Sequence, residues 1–149
     1  MSWLVPGAAA SLAPGRRPRT TLTPTLVLRG GRPVTALGSP GGDQQDQWQL
    51  LYLLRTIVGG YTPQQAIDAP ALHTTSFPDS FWPRTWEPGG AVVENRLNNI
   101  VAGLQQRGHV VTRAGDWSLG RLSAVGVDDT GLLFAAANPR GAQGYAAGR

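Results

Sequence analysis

The sequence predicts an α/β layered (α+β) protein with a largely antiparallel sheet, and three observations carry that expectation. Short β-prone apolar runs come in pairs about turn residues: 25–28 and 33–37 flank Gly30-Gly31, and 122–127 and 132–137 flank Asp128-Asp129-Thr130-Gly131. Between the pairs runs a helical stretch, residues 43 to about 58, that is apolar nearly all round. A second helix, about 96 to 107, carries Leu97, Ile100, Val101 and Leu104 on one stripe.

The 149 residues suit one domain or a piece of one, read as an extended lead (1–22), sheet and helix layers (23–137) and a tail (138–149). No apolar run approaches the roughly 20 residues a membrane helix needs, so no membrane partner is expected. Cysteine is absent, which removes disulfides, thiolate metal sites and a cysteine nucleophile together. All 13 basic residues are arginine, and with nine acids the formal charge is +4. The arginines are scattered apart from Arg16-Arg17-Pro18-Arg19, without a basic helix or aromatic–basic interleaving, so no nucleic-acid partner is expected. Trp3, Leu4 and Val5 stand directly after the initiator, where apolar side chains are expected to pack on an upstream segment.

Taken in order, residues 1–19 lack periodicity and read as loop. The first strand pair is apolar with little alternation, which predicts strands covered on both faces. Its second member runs into Leu37-Gly38-Ser39-Pro40-Gly41-Gly42-Asp43, a strand-to-helix elbow. Proline pre-sets one backbone angle there, and the glycines, lacking Cβ, allow close approach to two N–H groups. Such an elbow is either a tight turn before a core helix or an anion or oxyanion site, with Asp43 suited to cap the helix. The helix that follows, with Trp48, Leu50, Leu51, Tyr52, Leu53, Leu54, Ile57 and Val58, is expected to be sandwiched, and Gly59-Gly60 end it. Thr62-Pro63-Gln64-Gln65 spells a capping box with proline at the first helical position. Residues 70–88 read as a long connection pinned by Phe77, Phe81, Trp82 and Trp86, before Ala91-Val92-Val93. Gly108 suits the end of the amphipathic helix, 109–112 is β-prone, and the tail is small-residue rich with Arg140 as an anion or carboxylate contact.

Candidates for chemistry are few. His73 and His109 have no companion at metal-ligand spacing and read as structural or surface histidines. Asp128 and Asp129 are turn residues, Asp116 beside Trp117 is open, and Glu87 and Glu94 flank a turn without suggesting an acid/base pair.

Six segments nevertheless occur in one order and spacing: 17–25 (Arg-Pro-Arg-Thr-Thr-Leu-Thr-Pro-Thr), Gly38-Ser39-Pro40-Gly41-Gly42, Ala66-Ile67-Asp68-Ala69-Pro70, Glu87-Pro88-Gly89, Arg107-Gly108-His109 and Asn138-Pro139-Arg140. Together they resemble the C-terminal part of the γ-glutamyltransferase family, over nearly the whole chain. The resemblance implies part of an αββα N-terminal nucleophile hydrolase sandwich, in which a self-cleaving precursor frees a threonine that attacks a γ-glutamyl amide. It implies that Gly41 and Gly42 donate backbone N–H groups to the oxyanion, and that Thr20 and Thr21 match a hydroxyl pair holding the substrate carboxylate, with Ser39 as a further substrate contact. The partners implied are a small γ-glutamyl or acyl-amide substrate and the missing N-terminal portion that carries the nucleophile; no cofactor is implied. The chain alone is therefore expected to be inactive. Ser2-Trp3 stands where many members have an acidic pair for the substrate amino group, which leaves an acylase-like branch open. A non-enzymatic anion-binding module is the other reading of the elbow.

Overall fold

The computed structural model describes residues 3–140 and 145–147; Ser2 and the other tail positions lie outside the described residues. Strands β1 (Thr25–Arg29) and β2 (Arg32–Gly38) form the first hairpin. Its two central residues, Gly30 and Gly31, have φ of 56° and 78°, the pair of positive values that a tight two-residue hairpin demands. Helix α1 (Gln45–Leu53) follows the elbow and passes into a π-helical turn over Leu54–Val58. There Thr56 Oγ1 donates back to Tyr52 O (2.9 Å), while the Arg55 guanidinium is drawn to Ala66 O (3.1 Å) and Pro70 O (2.5 Å). Helix α2 (Pro63–Asp68) has the expected capping box: Gln65 N donates to Thr62 Oγ1 and Thr62 N to Gln65 Oε1.

A second sheet is built from β3 (Leu72–Thr74), β4 (Gly90–Glu94) and β5 (Val110–Ala114). Strands β4 and β5 run parallel, joined through α3 (Asn98–Gln106), whereas β3 lies antiparallel to β4. Residues 72–74 thus leave the expected connection to become a short strand. The second hairpin, β6 (Ser123–Val127) and β7 (Leu133–Ala137), docks on the first to give the order β1-β2-β6-β7. The seam between β2 and β6 depends on Gly126, where a Cβ would lie 2.3 Å from Val34 O and 2.4 Å from the Phe134 ring. Asp128 Oδ1 fixes the second turn by accepting from Thr130 N (2.8 Å) and Leu132 N (3.0 Å).

Alternation along the four-stranded sheet decides where the core sits. Leu37, Ala124 and Ala136 are cross-strand partners and face Trp48, Tyr52, Ala66 and Ile67 of the helices. The adjacent row, Leu26, Ala36, Val125 and Ala135, points the other way, where Leu26, Val125, Leu132 and Leu133 are exposed beside an open groove of about 890 Å³. Strands expected to be covered on both faces are therefore covered on one by the described residues. The same holds for α1 and its π-helical turn: Trp48 and Tyr52 are buried while Leu50, Leu54, Ile57 and Val58 are exposed, so the expected sandwiching is one-sided. Contiguous apolar surface on both layers favours association. The purified chain is expected to bind a hydrophobic dye and to elute from size exclusion above its monomer mass.

A buried ionic clasp holds the sheets and α2 together: it corrects the reading of Glu94 as a residue flanking a turn, and the carboxylate that Arg140 meets is an internal one. Arg140 meets a carboxylate inside the protein: its Nε donates to Glu94 Oε1 (2.9 Å) and its Nη2 to Oε2 (3.2 Å), with Glu94 0% and Arg140 2% exposed. Ala71 N, Leu119 N and Arg96 Nη2 also donate to the Glu94 carboxylate. The remaining Arg140 N–H groups go to Ile67 O (2.6 Å) and Ala69 O (3.1 Å), carbonyls that the end of α2 leaves without helical partners. Trp117 lies under the guanidinium of Arg96, 3.6 Å from the ring centroid.

Candidate functional site

The elbow between β2 and α1 is close-packed at Gly41 and Gly42. Gly41 has φ of 141°, and a Cβ there would lie 3.0 Å from Trp48 Cζ3 and 3.3 Å from Gln45 Cγ. A Cβ on Gly42 would lie 2.8 Å from Phe81 Cε2. Among the described residues, neither glycine N–H donates a hydrogen bond. The Gly41 carbonyl, in contrast, accepts from Gln45 Nε2 at 2.9 Å.

Asp43 does not cap the helix as expected. Gln44 occupies the capping position without a side-chain bond, and the Asp43 carboxylate instead receives Ser80 N (2.7 Å at Oδ2) and the Ser80 hydroxyl. Ser80, itself buried, accepts from Arg19 Nη2 at 3.0 Å. The competition is between a one-turn cap and a contact that pins the 76–84 loop to the elbow. Burial pushes the Asp43 carboxyl up, but the Ser80 hydroxyl and amide, Asp79 and the Arg19 charge outweigh it and hold it below its ordinary value.

These residues surround a cleft of about 480 Å³, to which Arg19, Thr20, Thr21, Gly42, Asp43 and Ser80 contribute. The cleft therefore brings together Thr20, Thr21 and Gly42, three of the five expected site residues; Ser39 and Gly41 stand in the elbow beside it without lining it. Thr20 Oγ1 accepts from Leu22 N (3.0 Å), leaving its O–H to point elsewhere, and the Thr21 hydroxyl has no hydrogen bond among the described residues. The Ser39 hydroxyl is turned back onto Pro40 O (3.0 Å). Such an arrangement can offer hydroxyls and a backbone N–H to an anionic or carbonyl oxygen, beside a cation that offsets Asp43.

The glutamines at the start of α1 were legible only as a polar turn, yet each clips a different segment around the cleft. Gln45 takes the Gly41 carbonyl, Gln47 exchanges two hydrogen bonds with the Thr74 backbone (2.8 and 3.2 Å), and Gln49 Nε2 donates to Thr23 O (2.7 Å). Their spacing of two residues on a helix start, where long amides fan out to several neighbours, is the signal that could have found them. His73 is buried against Trp48, ring centroids 5.7 Å apart, and burial pushes its pKa down. His109 is exposed, with Nδ1 3.2 Å from Gly89 O. Among the described residues no group of three or more His, Asp or Glu side chains is arranged to hold a metal ion.

Comparison with known proteins adds to this geometry. The family model for gamma-glutamyltranspeptidase matches residues 1–148. The chain is 36% identical to the glutathione hydrolase-like YwrD proenzyme of Bacillus subtilis strain 168, over 88% of this chain and 24% of that protein. It is 32% identical to the acylase ACY 1 proenzyme of Pseudomonas sp. strain SE83, over 89% of this chain and 22% of that one. The solved structure of LmbA2991HD is 57% identical with a TM-score of 0.94, and it covers all of this chain against 27% of its own. The chain thus spans about a quarter of the length of these relatives.

Proposed function

The chain belongs to the γ-glutamyltranspeptidase family, and from that premise we propose that it is the oxyanion-binding, C-terminal part of an amide hydrolase or transferase acting on γ-glutamyl compounds such as glutathione. The observation that carries this reading is the cleft itself, which gathers Thr20, Thr21 and a Gly42 N–H without a hydrogen-bond partner among the described residues. In the proposed division of labour, Gly41 and Gly42 receive the negative charge that develops on the attacked carbonyl oxygen. Thr20 and Thr21 hold the substrate carboxylate, and Ser39 becomes a further contact once its hydroxyl rotates away from Pro40 O. The attacking threonine comes from an N-terminal portion, which also covers the open face of the four-stranded sheet. An oxyanion site without a nucleophile cannot begin acyl transfer, so the chain alone is inactive.

A second reading, an acylase-like branch, is favoured by two observations: Ser2-Trp3 stands where an acidic pair for the substrate amino group is expected, and an acylase proenzyme is among the relatives. Both readings use the same elbow and differ in the acyl group.

The test compares two proteins. The purified chain, incubated with a chromogenic γ-glutamyl anilide, is expected to release no product, and turnover that disappears on substituting Gly42 would sink the division of labour. A graft in which this chain replaces the matched quarter of the 57%-identical relative is expected to mature and to cleave an anilide. Preference for γ-glutamyl over simple acyl anilides decides between the two branches; a mature graft that cleaves neither overturns the proposal. In that graft, Thr20→Val or Thr21→Val is expected to raise KM by roughly tenfold or more, the usual worth of a hydrogen bond to a charged group, with kcat less affected.

A further inference from the structure

We infer that Gln45 is a positioning residue for the oxyanion site: its side-chain amide fixes the orientation of the Gly41–Gly42 peptide and so aims the Gly42 N–H. The inference rests on the proposed role of that N–H.

Its physical basis is the planarity of the peptide group. The Gly41 carbonyl and the Gly42 N–H belong to one trans plane and point in opposite directions, so whatever holds the carbonyl sets the direction of the N–H. Gln45 Nε2 donates to that carbonyl at 2.9 Å, and Gln45 is buried at 6% exposure. Its Cγ also packs against Gly41 from the side where a Cβ would project, 3.3 Å from that position, and Trp48 closes the rest of the surface at 3.0 Å. Gln45 itself is held by the first turn of α1, its N–H near Gly42 O at 3.4 Å.

The need for such an anchor follows from the two glycines. Neither carries a Cβ, so rotating their shared peptide meets the least steric resistance of any residue pair. A flipped plane would present the carbonyl where the N–H should be, placing negative potential in the cleft in place of positive. Asp43 already puts a carboxylate beside that position. One donor on the far side of the plane selects the productive orientation before substrate arrives, and a substrate then meets a donor that needs no reorganisation.

The test uses the mature graft and two variants. Gln45→Met keeps length and apolar packing but removes the donor; Gln45→Glu keeps shape but sets an acceptor against the carbonyl. Because Gly41 is exposed, water can solvate its carbonyl in Gln45→Met, so the melting temperature of that variant is expected to change little, whereas Gln45→Glu buries a carboxylate and is expected to melt lower until it is protonated. The expected result is a fall in kcat of about tenfold for Gln45→Met, more for Gln45→Glu, with KM within twofold and Gln45→Glu partly restored at a pH low enough to protonate it. Unchanged kcat in both variants, while Gly42→Ala still lowers it by about 10²–10³-fold, overturns the inference and leaves the oxyanion site standing. Unchanged kcat in Gly42→Ala as well overturns the oxyanion reading itself. A Gln45→Met variant that loses kcat in step with its melting temperature assigns Gln45 to structure alone and likewise overturns the inference.

Discussion

Glu94→Gln is expected to destabilise the chain by about 3–5 kcal/mol, the usual cost of removing one partner from a buried ion pair. The reason is the arginine left behind. Arg140 is 2% exposed and Arg96 shares the same carboxylate, so the neutral amide leaves both guanidinium groups short of a counter-charge where water cannot replace it. Urea titration followed by tryptophan fluorescence measures it, since Trp117 lies within 3.6 Å of Arg96 and 5.0 Å of Arg140 and reports on the clasp. With a slope of about 1–3 kcal/mol/M, the midpoint should fall by more than about 1 M. Combining Glu94→Gln with Arg140→Met should cost less than the two singles added, because the second change removes the stranded charge. Strict additivity would show that the two groups do not act as a pair.

The same carboxylate sets an acid limit. Burial pushes Glu94 up, but the Arg140 guanidinium and the amides of Leu119 and Ala71 outweigh it, and its pKa is lowered from 4.5. A carboxyl depressed by folding contributes stability that is fully present above its unfolded value and is lost as pH falls through the folded one. Stability is therefore expected to hold from neutrality to about pH 4.5 and to decline below it. The decline should be shallower in Glu94→Gln, which has nothing to protonate there; an unchanged slope would assign acid sensitivity to other groups.

Gly42→Ala is expected to lower kcat of the mature graft by about 10²–10³-fold, corresponding to roughly 2.7–4 kcal/mol of lost barrier lowering. The methyl group would lie 2.8 Å from Phe81 Cε2, so either the ring or the peptide must move, and the N–H moves with the peptide. Gly42→Ala combined with Phe81→Leu gives the methyl room and is expected to recover part of the loss. Recovery separates a displaced donor from a ruined fold, and a fully active Gly42→Ala would remove the elbow from the chemistry.

What the sequence made legible was local. Both hairpins follow from their turn residues, Gly30-Gly31 and 128–131, and the α2 capping box follows from Thr62 and Gln65. The stripe of α3 and its glycine stop are equally local, with Gly108 at φ of 89°. The rest is decided by partners far along the chain. Asp43 has the chemistry of a cap, yet Ser80 outbids the helix for it, and no pattern within the elbow reveals that. Glu94 ends an apolar strand and looks like a turn residue until Arg140 arrives. Strand β3 is three residues in a proline-rich connection and exists because β4 offers an edge. For the site, collinear resemblance pointed to Thr20, Thr21, Ser39, Gly41 and Gly42, of which the cleft unites Thr20, Thr21 and Gly42, whereas the glutamine spacing could mark Gln45 as a clip without saying that it holds the Gly41 carbonyl.

The glycine seam between β2 and β6 bears on how the molecule is made. Each hairpin can close within microseconds from neighbouring residues, but the register that sets Thr35 against Gly126 requires two segments separated by most of the chain to meet. The loop-closure entropy of that encounter is spent before any core contact returns it. Docking of hairpin on hairpin is thus the slow event set by topology, and α1, the elbow and the second sheet all lie within the loop it closes. A ribosome releases the first hairpin long before the second, so an apolar sheet edge waits in solution until residues 123–127 emerge.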